Sequence, residues 1–254
     1  ALYSVGDADG HDLLVTAADG ETIKFTKQAS TEVVTPFATG GTITFATGSI
    51  YLDTSTPLTI NSKGAAISVA KVYGVAGGDN NLTIDADSTG GASTTEKITI
   101  GAIGDGDEIA AVTLDAADGI TFTGNIELAD HAGADLDING PVFISGDVTI
   151  TTDNTSDDGT INFSSTIDGV TESGTAVADN LVILAGDTSN NPSGAAQGGS
   201  LTITGNIGDA VALTTLKINA TDGDMAFTVP QVGGGGLQGV TGAVTLGNAG
   251  SGDI

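Results

Sequence analysis

The sequence predicts an all-β chain wound into a stack of short strands, a β-solenoid with rungs of about 20 residues. An apolar-polar-apolar triad recurs along nearly the whole length, and no segment carries the 3.6-residue period of an amphipathic helix. The stretches between triads are rich in Gly, Asp, Asn, Ser and Ala, which suit tight turns. In each triad the outer side chains share one face and the middle residue points to the other, because strand side chains alternate with period two.

Taken in order, residues 1–35 fit this grammar least and are expected to be a cap or irregular N-terminal portion, with 36–254 as the solenoid. The triads then run Ile43-Thr44-Phe45, Leu58-Thr59-Ile60, Leu82-Thr83-Ile84, Ile98-Thr99-Ile100 and Val112-Thr113-Leu114. Ile120-Thr121-Phe122, Val148-Thr149-Ile150, Leu201-Thr202-Ile203 and Val244-Thr245-Leu246 continue the series. A longer phrase, Ile120 to Ile126 (ITFTGNI), returns as Leu201 to Ile207 (LTITGNI) and, degenerately, as Ile161 to Ile167. With Ile43 and Leu82 added, the starts are separated by 39, 38, 41 and 40 residues. A second element follows the last three, at Leu136-Asp137-Ile138, Leu181-Val182-Ile183 and Leu216-Lys217-Ile218, so each unit of about 40 residues reads as two coils. The competing account is chance, since a chain rich in Thr and aliphatics generates triads unaided. At a ladder spacing of ~4.8 Å, about 12 coils would make a rod roughly 60 Å long. Phe45, Phe122 and Phe163 occupy one phrase position and are expected on one inner face. Gly77 to Asn81, Asp187 to Gly199 and Gly233 to Gly236 read as protruding loops.

Composition narrows the function classes. There are 32 acidic residues against 6 basic ones, all lysine, for a net charge of −26. Nucleic acid is thereby excluded as a partner, since counterion release needs clustered Lys or Arg. Charged residues are only 15% of the chain and mean hydropathy is +0.18, so disorder is not expected. With no cysteine there is no disulfide framework and no thiolate metal site. Aromatics are 4%, so Val, Ile, Leu and Ala must fill the interior. No apolar run is long enough to span a membrane. The chain opens on Ala1-Leu2-Tyr3 and stops inside what reads as another triad at Ile254, which suggests a processed protein or a segment of a longer one.

From Ile120 onward the chain resembles the filamentous-haemagglutinin-like adhesins, large repetitive surface proteins of bacteria. The resemblance is carried by the Ile120 and Leu201 phrases, by Leu213 to Ala220 (LTTLKINA) and by Gly242 to Gly247 (GAVTLG). It covers about half the chain closely and implies a right-handed parallel β-helix exported to the cell surface, with roles in adhesion, biofilm or fibre formation. It brings no catalytic residues, and the amino-terminal secretion domain of such proteins is not recognisable in this sequence.

Candidate chemistry is confined to carboxylates. Asp7, Asp9 and Asp12 crowd one turn, and Asp105, Asp107 and Glu108 another, as Ca²⁺ prefers several oxygens on bendable backbone. Asp157-Asp158 and Asp222-Gly223-Asp224 are similar, while Asp85/Asp87 and Asp135/Asp137 each share a strand face. None follows an EF-hand or glycine-rich nonapeptide pattern, and solvated acidic turns are the plainer reading. His11 and His131 read as surface turn residues, and there is no Gly-x-Ser-x-Gly elbow. Asn81, Asn154, Asn162 and Asn219 open glycosylation sequons at about the frequency chance gives. The expectation is therefore a non-enzymatic extracellular protein, a building block of a fibre, sheath or adhesin stalk whose partner is itself. The alternative is a carbohydrate-binding or polysaccharide-degrading β-helix of tailspike type. A flat threonine face for sugar or ice is disfavoured by the Asp, Asn and Lys that interrupt it.

Overall fold

The computed structural model describes residues 41–219 apart from 46–48, 53–57, 75–79, 88–94, 105–108, 129–133, 153–158, 173–174, 177–178 and 186–199. It also describes the backbone of 13–15, 22–25, 31–34, 225–227 and 244–247. Within these residues the chain is all-β with no helix, and its strands lie in a 14-stranded sheet, an 8-stranded sheet and one small pair. The larger sheet curves into a half-barrel.

The chain travels in circuits, each visiting two flanks of the large sheet and then the small sheet. The first circuit is β1 (Leu13–Val15), β2 (Thr22–Phe25) and β3 (Thr31–Val34), and the second is β4 (Ile43–Phe45), β5 (Ser49–Leu52) and β6 (Leu58–Asn61). In the third, one strand, β7 (Ile67–Tyr73), covers both flanks before β8 (Asn81–Asp85); β9 (Lys97–Ile103) and β10 (Ala111–Asp115) repeat this in the fourth. The fifth is β11 (Gly119–Phe122), β12 (Ile126–Glu127) and β13 (Leu136–Asn139), and the sixth is β14 (Val142–Ile144), β15 (Asp147–Thr151) and β16 (Thr160–Phe163). The seventh starts with β17 (Ile167–Gly169) and detours through β18 (Thr171–Glu172) and β19 (Thr175–Ala176). It closes with β20 (Asn180–Leu184) and β21 (Ser200–Ile203). Beyond it, Ile207 bridges to Ile167, followed by β22 (Thr215–Asn219), β23 (Met225–Phe227) and β24 (Val244–Gly247). Every pairing between described strands is parallel except β18 with β19.

Parallel, in-register pairing turns the triads into ladders. Leu58, Leu82, Val112, Leu136, Ile161 and Leu201 are successive partners in the small sheet, and Ile60, Ile84, Leu114, Ile138, Phe163 and Ile203 run beside them. In the large sheet Ile43, Ile67, Ile98, Ile120, Val142 and Ile167 form the equivalent row. All are buried, whereas the threonines between them are not. Each such aliphatic contributes about 1.5–3 kcal/mol on full burial, so the ladders are the main source of cohesion.

Three expectations need correction. Sheet-mates in the small sheet are separated by 24, 30, 24, 25 and 40 residues from Leu58 to Leu201, not about 20, because each circuit crosses both flanks of the large sheet as well as the small sheet and its loops vary in length. The near-40 spacing of the longer phrase does not mark equivalent positions. Ile43 and Ile120 lie in the large sheet, whereas Leu82, Ile161 and Leu201 lie in the small one, and only the last two are partners. The phrase encodes a strand, a tight turn and an inward isoleucine, which serves at more than one corner. Consequently Phe45 and Phe122 share a large-sheet row, separated by Val69 and Ile100, while Phe163 faces inward from the small sheet. The eight described strands of the small sheet span roughly 34 Å at ~4.8 Å per step, well short of 60 Å. Within 1–35, the strands β1, β2 and β3 pair with β4, β5 and β6 in the same parallel fashion, and the rest of that portion lies outside the described residues. So do the loops foreseen at 187–199 and 233–236.

Corners are tight where circuits stack. A Cβ on Gly101 would collide with the carbonyl of Ala70, and one on Gly124 with the carbonyl of Gly101, so glycine is required at this bend between the two flanks.

Candidate functional site

The densest described cluster of ionisable groups sits where the chain leaves the small sheet. Four successive triads there end in an amide or carboxylate residue: Asn61, Asp85, Asp115 and Asn139. They are register partners, so stacking lines them up as one polar row along the outside of the corner. Asn61 Nδ2 donates to Asp85 Oδ2 at 2.8 Å, and Asp87 N donates to Asp85 Oδ1 at 2.9 Å. Asp87 Oδ1 accepts from Ala117 N of the next circuit at 2.7 Å. The Asn61 side chain also accepts from Lys63 N at 2.8 Å, holding Lys63 in the left-handed region (φ 56°) that non-glycine residues seldom adopt.

Like charges meet in this row. Burial, a hydrogen bond with Asp87 and the charges of Asp87 and Asp85 push the Asp115 carboxyl up to about 6. Burial also raises Asp85; the Asp87 N–H pulls it back down, and the Asp87 charge adds to the rise. The Asp115 carboxyl therefore carries a proton in mildly acidic conditions.

A second set of carboxylates is buried at the far end of the stack. Asp179 is fully buried, and its Oδ1 accepts from Gly146 N at 2.9 Å while Oδ2 accepts from Val170 N at 2.8 Å. Asp168, 4% exposed, accepts at Oδ1 from Ala210 N (2.8 Å) and Val211 N (3.3 Å). Each carboxylate thus ties one circuit to its neighbour through backbone donors. Gly169 lies against the first: a Cβ there would stand 2.7 Å from Asp179 Oδ2 and 3.0 Å from Ala212 O.

The Ca²⁺ candidates Asp7, Asp9, Asp12, Asp105, Asp107 and Glu108 lie outside the described residues, as do Asp157, Asp158, Asp222, Asp224, His11 and His131. Asp85 and Asp87 are brought together with a third carboxylate, Asp115, that sequence reading had not joined to them. Asp135 turns instead to accept from Thr160 N at 3.0 Å, with Asp137 exposed beside it. Among the described residues no group of three or more His, Cys, Asp or Glu side chains is arranged to hold a metal ion. The signal that would have found Asp115 is the Asn or Asp that directly follows each triad from Ile60 to Ile138 in the small sheet.

No protein-family model, curated protein or solved structure matches the chain. Among the described residues no helix is long and apolar enough to cross a membrane.

Proposed function

We propose that the circuits form a right-handed parallel β-helix and that the protein is a non-enzymatic structural and adhesive unit of an extracellular fibre, sheath or adhesin stalk, akin to the filamentous-haemagglutinin-like proteins. One observation carries this reading. The in-register pairing runs without interruption from β1 to β24 in the large sheet and from β3 to β23 in the small one. Such a stack is a nearest-neighbour object that tolerates loops of any length between rungs. Its terminal strands template pairing with a further copy, so the partner in this proposal is the chain itself. The net charge of −26 opposes that association at neutral pH, and Ca²⁺ held by the acidic turns would relieve it. Electron microscopy across a range of protein concentration, with and without millimolar Ca²⁺, tests the proposal. Rods that lengthen by end-to-end addition are expected. Discrete particles of constant length under every condition would overturn it.

A further inference from the structure

The second flank of the large sheet carries a surface feature unrelated to the acidic corner. Tyr51 of β5 and Tyr73 of β7 are register partners whose half-exposed rings lie 5.0 Å apart and inclined at 50°. Lys71 Nζ stands 5.9 Å from the centre of the Tyr73 ring, within cation–π range. One circuit on, Lys71 pairs with Ala102 and Val72 with Ile103, so the position after Tyr73 along the stack is Gly104. Gly104 has φ +80°, donates to Val72 O at 2.8 Å, and has no room for a Cβ against the carbonyl of Glu127. Gly104 is buried under the Glu127 backbone, and beside it, past Ala102, lies a cleft of about 200 Å³ lined by Ala102, Ile103, Asn125 and Glu127. Asn125 and Glu127 are exposed, and Asn125 Oδ1 accepts from Thr149 N at 2.9 Å, which fixes the plane of its amide.

We propose that this strip, from Tyr51 to Glu127, binds a neutral hexose oligosaccharide. A pyranose has an apolar C–H face and a rim of hydroxyls, and the strip offers the complement of both. The solvent-facing part of the tyrosine pair takes the C–H surface, while the exposed Glu127 carboxylate and Asn125 amide meet the hydroxyls. Apolar walls with a few placed polar groups are what small-molecule sites generally present. Charge selects the neutral sugar, because a chain with 32 acidic residues against 6 basic ones repels a polyanion. The strip crosses successive circuits, so an extended glycan lying along the stack meets the rings first and the cleft next. This assignment is independent of whether copies associate end to end.

The chain has no tryptophan and only three tyrosines, two of them in the strip, so intrinsic tyrosine emission reports occupancy directly. The full chain is titrated with cellohexaose, laminarihexaose and maltohexaose, with hexagalacturonate as the acidic control at equal ionic strength. A saturable change with at least one neutral hexamer and none with the acidic one is expected. Calorimetry then reads the variants: Tyr73→Ala weakens binding about tenfold, and Tyr73→Phe keeps it within about threefold. Glu127→Ala, at an exposed position, weakens it about fivefold without touching the rings, and stands in if Tyr73→Ala does not fold. The proposal is overturned by silence toward all three neutral sugars at millimolar concentration, or by equal binding of the acidic hexamer. It is also overturned by variants that bind as the parent does, or by emission that follows protein rather than sugar concentration, which would assign the strip to a second copy.

Discussion

Two groups of aspartates in this fold are treated in opposite ways. Asp179 and Asp168 are the more deeply buried, yet each is met by two backbone N–H donors. Asp115 is only half-buried, but it faces Asp85 and Asp87 and is pushed up to about 6. The difference teaches that a carboxylate in a parallel stack is governed by what the neighbouring circuit presents to it. Donors make it a tie between circuits, and a second carboxylate makes it a source of strain that protonation relieves.

The comparison is broken or sharpened by changing one atom at each place. Asp179→Asn replaces an acceptor oxygen with a donor and sets it against Gly146 N–H or Val170 N–H. A loss of about 2–3 kcal/mol is expected, read as a fall in Tm of about 6 °C. An unchanged Tm would remove the claim that backbone donors hold this end together. Gly169→Ala probes the same tie from the outside, since the new methyl must displace the carboxylate or the Ala212 carbonyl. Denaturant unfolding should show a cost of about 2 kcal/mol.

At the acidic corner the same Asp-to-Asn exchange has the opposite sign. Asp115→Asn keeps a donor toward Asp87 and removes one like charge, so the variant should be more stable than the parent at pH 7 by about 1 kcal/mol, a figure discounted for solvent screening. The parent itself should show the matching pH dependence. Asp115 titrates at 3.8 when unfolded and about 6 when folded, so the folded state holds the extra proton between those values. Its stabilising contribution is complete below pH 3.8 and is lost as pH rises through about 6. Melting curves of parent and Asp115→Asn should therefore converge as pH falls from 7 toward 4, and curves that stay parallel would contradict the assignment. Asn61→Ala, which removes the side-chain amide that donates to Asp85, should cost about 0.5 kcal/mol at pH 7 in chemical denaturation.

Much of the fold was legible in the chain. Each triad from Ile43 to Val244 lies in a strand, and from Ile43 to Leu201 its outer residues are buried. Strands that break the triad grammar were not foreseen. Examples are β7, whose seven residues bend across two flanks, and β14, which opens after Pro141. The antiparallel detour of β18 and β19 was missed as well, since two-residue strands leave almost no periodic signal. Of the acidic corner, the sequence showed Asp85 and Asp87 together but not Asp115, which lies 30 residues from Asp85. The tyrosine pair was equally hidden, because Tyr51 and Tyr73 follow different local phrases.

By itself the sequence determined the strands, their inward and outward faces and the aliphatic interior, because period-two alternation is local and needs no knowledge of neighbours. The tertiary structure alone decided which sheet each triad enters, how many residues separate one rung from the next, and which outward side chains meet. Loops of unequal length set the register between circuits. That register places Asp115 against Asp87 and Asp85, Asp179 against two backbone donors, and Tyr51 beside Tyr73.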